Sequence, residues 1–174
     1  MVEKEKRPKS KKAALAWAIA VILLLAGLGV YCSLEAAMMS DILHRKNQVA
    51  GRVMSEVGDF ISWKYENKDF INEDYIIEGT CSGGDIVINE SGSISAETIH
   101  FPANYEGSRF YHWAVRMSDG KAAEAWVFEK PMSDKRLKSY SRAEQEKQYK
   151  KLLFLGSRNT VGYYSSETGD NFSP

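Results

Sequence analysis

Two hydrophobic patterns follow one another along the first third of the chain. Residues 13–34, AALAWAIAVILLLAGLGVYCSL, carry no formal charge. A helix of this length, rising about 1.5 Å per residue, covers the roughly 30 Å hydrocarbon core of a bilayer with a little to spare. A helix in a soluble domain keeps a polar stripe, and none is present here. From residue 35 to about residue 66 there is no proline, and Met38, Ile42, Val49, Val53, Val57 and Phe60 recur at intervals of three, four or seven. That is the period of one helical face. No breaker separates the stretches, so the pattern predicts one continuous helix, apolar all round at first and amphipathic afterwards. Gly51 and Gly58 weaken its second part locally. The preferred use of the stripe is packing onto the protein's own domain. The competing use makes Val49, Val53, Val57 and Phe60 an interaction surface for another chain. A self-associating coil is disfavoured because the pattern lasts too few heptads.

Asn67-Lys68-Asp69 ends the helical period, and from Asp74 onward short β-rich runs alternate with turn residues. The runs predict strands over 75–78, 85–89, 93–100, 109–117 and 122–129. Ser118-Asp119-Gly120 is the strongest turn signal, because Asp-Gly readily supplies the positive φ of a tight hairpin. The two aromatic-rich strands that flank it are expected at the centre of the sheet. Turns at Ser82-Gly83-Gly84 and Glu90-Ser91-Gly92 make an antiparallel meander the natural topology. Pro131 closes the last strand, and Ser141 with Glu144 has the spacing of a capping box. The helix that follows is expected to run to Leu155, with Tyr149, Leu152, Leu153 and Leu155 as its apolar surface and Gly156 as its stop. The fold class is therefore α+β: an N-terminal transmembrane helix continues into a long amphipathic helix that packs on an antiparallel β-meander, with a short C-terminal helix. The organisation is a basic tail (1–12), a span (13–34), a membrane-proximal helix (35–66), the rest of the domain (67–164) and a flexible polar tail (165–174). The residues beyond the span are enough for one domain.

Charge sets the orientation. Before the span, Lys4, Lys6, Arg7, Lys9, Lys11 and Lys12 face only Glu3 and Glu5. Basic residues beside a span are retained in the cytoplasm, which puts the domain on the other side of the cell (inner) membrane. A cleavable signal has an apolar region of about 7–15 residues before a small-x-small site, and this run is longer, so the expectation is an uncleaved single-pass anchor. The 23 basic and 23 acidic residues of the whole chain balance, but the tail takes six of the basic ones and leaves the domain mildly acidic. No basic stripe interleaved with aromatics is present, which argues against nucleic acid as a partner. Lys147, Lys150 and Lys151 alternate with other residue types and read as the solvated face of a helix.

Little in the chain points to catalysis. Cys32 sits at the outer end of the span and Cys81 is the only thiol of the domain, so an internal disulfide framework is excluded. Burial as a small apolar residue is the commoner fate of such a thiol. His44, His100 and His112 show no metal-ligand spacing. Cys81-Ser82-Gly83-Gly84-Asp85 lacks the lysine and the strand-to-helix context of a phosphate loop and reads as a turn. Glu73-Asp74 reads as a solvated pair on a loop, and Asn89-Glu90-Ser91 fits a glycosylation acceptor. The expectation is a non-enzyme with no catalytic residue, metal or cofactor.

A membrane helix prolonged into an amphipathic helix and followed by an antiparallel meander is similar to the layout of type IV pilins and pseudopilins. The resemblance implies an envelope protein working in an assembly. The pilin leader ends in glycine just before the hydrophobic segment and a glutamate follows soon after; here Lys11-Lys12-Ala13 holds that junction and no acid appears before Glu35. That departure argues against a processed, polymerising pilin. A short tail, one span and a small α+β domain also resemble the bitopic periplasmic components of secretion machines. The leading expectation is a membrane-anchored interaction module, a subunit of an envelope, secretion or pilus-type assembly complex, with other envelope proteins as partners and a homo-oligomer as one arrangement. The runner-up is a tethered ligand-sensing module, and a tethered enzyme comes third.

Overall fold

The computed structural model describes residues 11–66, 73–100, 110–151 and 159–167. Most of the basic tail, the expected helix stop at Asn67-Lys68-Asp69, Arg109, the expected helix end at Leu152, Leu153, Leu155 and Gly156, and the last seven residues lie outside them. The chain divides into two compact units, Met1–Met38 and Met39–Pro174. The first helix, α1 (Lys11–Lys64), contributes to both.

In the first unit residues 13–34 of α1 are apolar all round. Among the described residues one helix is long and apolar enough to cross a membrane, and it begins near the N-terminus. Its side chains have nothing to pack on within the unit: Leu23 is 67% and Leu24 69% exposed.

The second unit is a helix on a sheet. Strands β1 (Tyr75–Ser82), β2 (Asp85–Ile88), β3 (Glu97–His100), β4 (Tyr111–Ser118), β5 (Lys121–Phe128) and β6 (Gly162–Ser165) form one antiparallel sheet in the order β3-β2-β1-β4-β5-β6. Two short helices, α2 (Asp134–Ser139) and α3 (Arg142–Lys150), come between β5 and β6. The topology corrects the simple meander: β4 returns beside β1, so two three-stranded meanders share the β1–β4 pair. That pair is the centre: β1 takes the place expected for β5, and an unforeseen sixth strand covers the outer edge of β5. The hairpin signal at Asp119-Gly120 is realised, with φ of 49° and 75° and Ser118 paired with Lys121.

Strand alternation divides the core in two. Ile77 and Cys81 of β1, Trp113, Val115 and Met117 of β4, and Ala125 and Val127 of β5 face α1. Against them α1 sets Ala50, Val53, Met54, Val57, Ile61 and Tyr65 at helical spacing. Val53 and Val57 are 1% and 0% exposed, while Val49 and Phe60 pack partly buried at the margin. The two glycines expected to weaken the helix stand at its closest approaches: a methyl group on Gly58 would come 2.8 Å from the Ala122 Cβ, and one on Gly51 2.8 Å from the Tyr164 ring. The strand expected over 75–78 is longer than that. In the structure β1 runs through Gly79, because the Trp113 indole lies on the space where its side chain would be, 2.4 Å from a Cβ there.

The other face carries a second cluster, Ala114, Trp126, Phe128 and Tyr163 of the sheet under Leu137 and Tyr140. Helix α3 begins where expected, but the Ser141 side chain makes no capping bond; its carbonyl accepts the Glu144 and Gln145 N–H groups instead. The expected tail starts too early: Ser165 is buried in β6, and the Ser166 N–H donates to the Ala123 carbonyl.

Charge at the helix–sheet interface should separate the buried face from the exposed one. Val57→Asp places an unpaired carboxylate in the core and should lower stability by several kcal/mol. Ser55→Asp, two positions back on the exposed face, should cost under about 0.5 kcal/mol. Thermal unfolding of the full chain in detergent, read by tryptophan fluorescence, checks both; equal midpoints would mean the face is misassigned.

Candidate interaction surfaces

The most demanding chemistry of the second unit is where α1, α3 and β6 meet. Lys46 and Asn47 of α1 are 0% and 2% exposed. The Lys46 ammonium donates to the Thr160 carbonyl and hydroxyl, each at 3.0 Å, and forms an ion pair with the Glu129 carboxylate at 3.2 Å. It also lies 5.9 Å from the centre of the Tyr111 ring. Asn47 Oδ1 accepts from the Gln145 side chain at 2.8 Å and from the Tyr163 N–H at 2.9 Å. The Gln148 amide pairs with both backbone groups of Val161, accepting from its N–H at 2.8 Å and donating to its carbonyl at 2.9 Å. The Tyr140 hydroxyl donates to Gln145 at 2.8 Å and receives a bond from Gln148. Burial pushes the Tyr140 phenol well above its usual range. Side chains thus take up both backbone groups of Val161 and the N–H of Tyr163, which are otherwise open to strand addition. This is a structural lock. The apolar period of the helix does not reveal it, because Lys46 and Asn47 are polar residues between Ile42 and Val49 whose hydrogen-bond partners Thr160 and Gln145 are 114 and 98 positions away.

On the second face, over β1 and β4, is an open groove of about 600 Å³. Asp74, Glu78 and Glu90 supply three carboxylates, Tyr75 and Ile76 part of the floor, and Arg116 the one cation among the described lining residues. Arg116 is already committed, 2.5 Å from Glu124 and with its guanidinium 5.2 Å from the centre of the Trp126 ring. Glu124 also accepts from the Tyr163 hydroxyl at 2.5 Å. Burial first, and then the Glu124 carboxylate, raise the Tyr163 pKa. The groove is therefore acidic. Glu73 and Asp74 are exposed as expected, and Asn89 and Ser91 of the glycosylation pattern stand at the groove.

The residues weighed for chemistry are dispersed. His44 meets Gln48 on the exposed side of α1, and His100 meets Asp85 at 2.9 Å across β2 and β3. His112 is between Phe110 and Phe128, edge-on to the first and stacked on the second. Among the described residues no three histidine, cysteine or acidic side chains converge as metal ligands. The Cys81-to-Asp85 segment is a hairpin turn, and Cys81 is 5% exposed beside a void of only about 10 Å³. Burial pushes its thiol up to about 12, against a weaker lowering by a backbone bond from Tyr111. A nucleophilic thiol needs the opposite shift. Val53 and Val57, weighed as an interaction surface with Val49 and Phe60, are covered by the protein's own sheet. Comparison of the chain with protein-family models, curated proteins and solved structures gives no match.

Two predictions come from these sites. Lys46→Met leaves Glu129 facing an apolar side chain and should cost roughly 3–5 kcal/mol, with part regained in Lys46→Met/Glu129→Gln; urea unfolding of the four chains closes the cycle. Cys81 has a raised folded pKa, so its contribution is complete below the unfolded value of 9.0 and is lost as pH rises toward about 12. Cys81→Ala, less stable at neutral pH, should therefore lose less further stability than the parent between about pH 8 and about pH 11. Parallel pH curves would show that the thiol is not the group responsible.

Proposed function

We propose that this is a single-pass membrane protein, held by residues 13–34 with its basic tail in the cytoplasm, whose α+β domain works outside the cytoplasm as a protein-binding module. One contrast supports the reading: the apolar half of α1 exposes its leucines throughout, whereas the second unit has a complete core of its own and does not use them. A bilayer is the solvent that such a helix fits. The assignment as an uncleaved anchor rests on the length of the apolar run and on the flanking charge.

The surface assigned to the partner is the acidic groove. Three carboxylates around an arginine that is already paired suit a basic, extended segment of another envelope protein. The role is that of a positioned subunit in an envelope assembly of the secretion or pilus type, and it is non-catalytic, in keeping with the inert Cys81 and the dispersed histidines.

Topology and binding are tested separately. Asp119→Cys on the exposed β4–β5 turn should react with an impermeant maleimide in spheroplasts before lysis; reaction only after permeabilisation would reverse the orientation. A photo-crosslinking residue at Glu90 should give discrete adducts in cells that disappear with Glu78→Lys. Adducts unchanged by that substitution would remove the groove as the binding surface.

A further inference from the structure

The α2–α3 layer has the opposite charge to the groove. Residues 130–151 hold eight lysines and arginines against three acids. Among the described residues Arg142 is 3.7 Å from Glu146 and Lys147 is paired with Glu144, while Arg136, Lys150 and Lys151 have no carboxylate partner. The excess charge surrounds a recess of about 340 Å³, where Arg136, Lys147 and Lys151 face one carboxylate, Glu144, with Ser139 and Asn159 as polar neighbours. Lys130 donates to Asn159 at its rim. The recess has a fixed wall, because Tyr140 and Gln148 are held in the lock with α1 and β6.

We propose that this recess and its basic surround bind the phosphate of anionic lipid headgroups. Cations on a built recess match a phosphodiester in charge and in hydrogen-bond donors. The source of that phosphate follows from the tether. Asn47, which holds α3 through Gln145, stands thirteen positions after Leu34, a length of chain that spans at most about 45 Å even when fully extended. If residues 13–34 occupy a bilayer, as the anchored reading on which this inference rests requires, a headgroup surface is never farther than that from Asn47, which keeps the lipid at high effective concentration. Nucleic acid fits less well: Tyr140, the aromatic among the described lining residues, is buried with its hydroxyl engaged and offers no stacking face.

The test uses the full chain in nanodiscs carrying a trace of headgroup-spin-labelled lipid. A fluorophore is attached at Ala143→Cys, an exposed position of α3, in a Cys32→Ser background. Quenching should be strong when the discs contain phosphatidylglycerol and weak in phosphatidylcholine alone. Each cation is worth on the order of fivefold in surface affinity, so Arg136→Gln/Lys147→Gln/Lys151→Gln should abolish the difference, and raised salt should weaken it. Arg52→Gln, on another element, should leave it intact. Equal quenching in the two lipids, or an unaltered response in the triple variant, overturns the proposal while leaving the anchor standing. Release by inorganic phosphate at constant ionic strength reassigns the recess to a soluble anion. Binding of a single-stranded oligonucleotide with no lipid response overturns it as well. A chain that does not enter discs removes the anchor and this inference together.

Discussion

The second unit depends on a buried lysine. Taking an ammonium out of water costs several kcal/mol even after relaxation, and the attraction to a carboxylate offsets this only when the remaining protons are also bonded. Lys46 meets that condition with Thr160 and Glu129 around it. A polar group so demanding tolerates one arrangement where an apolar one would tolerate several, so the pair Lys46 and Asn47 fixes where β6 and α3 stand against α1. Gly162 belongs to the same constraint. A methyl group there would come 2.4 Å from the Lys46 carbonyl carbon and oxygen, so the strand meets the helix through the one residue that fits.

This lock explains why a four-residue strand closes the sheet. Edge strands expose unpaired backbone groups, and short length alone does not blunt them. Gln148 replaces a neighbouring strand at Val161, and Asn47 does the same at Tyr163. Burying these amides keeps both α3 and α1 in place, so the edge, the helix layer and the second core cluster form together.

The legible parts of the fold are those written in local chemistry. The apolar run, the helical period of α1, the Asp119-Gly120 hairpin and the aromatic-rich runs of β4 and β5 need only neighbours a few residues apart, and all are found in the structure. What escaped depends on distant partners. The strand β6 reads as loop because Gly162 interrupts Val161 and Tyr163, and its reason, the backbone of Lys46, is 116 positions away. Helix α2 is six residues with a single buried leucine, Leu137, too short to show a period. Lys46 and Asn47 look solvated to any reading that equates polarity with surface. The surfaces were hidden for a different reason: the groove joins side chains of β1 and β4 with the turns beside them, and only the return of β4 next to β1 brings Glu78 and Arg116 together.

A formal net charge of zero says nothing about either surface, because the signs are segregated on one face of one sheet. Over β1 and β4 the carboxylates gather; over β5 and β6, where α2 and α3 cover the aromatics, the cations do. Arg116 and Glu124 stand on adjacent strands between them, with Trp126 under the guanidinium and the Tyr163 hydroxyl on the carboxylate. At physiological ionic strength charges separated by more than about 8 Å are largely screened from one another, so patches held farther apart than that act as independent surfaces. The aromatic-backed ion pair marks their boundary: a basic ligand meets acids on one side of it, and an acidic one meets cations on the other. A chain that is neutral as a whole can in this way engage two partners of opposite charge, and the physical requirement is only that the sheet hold the two patches apart.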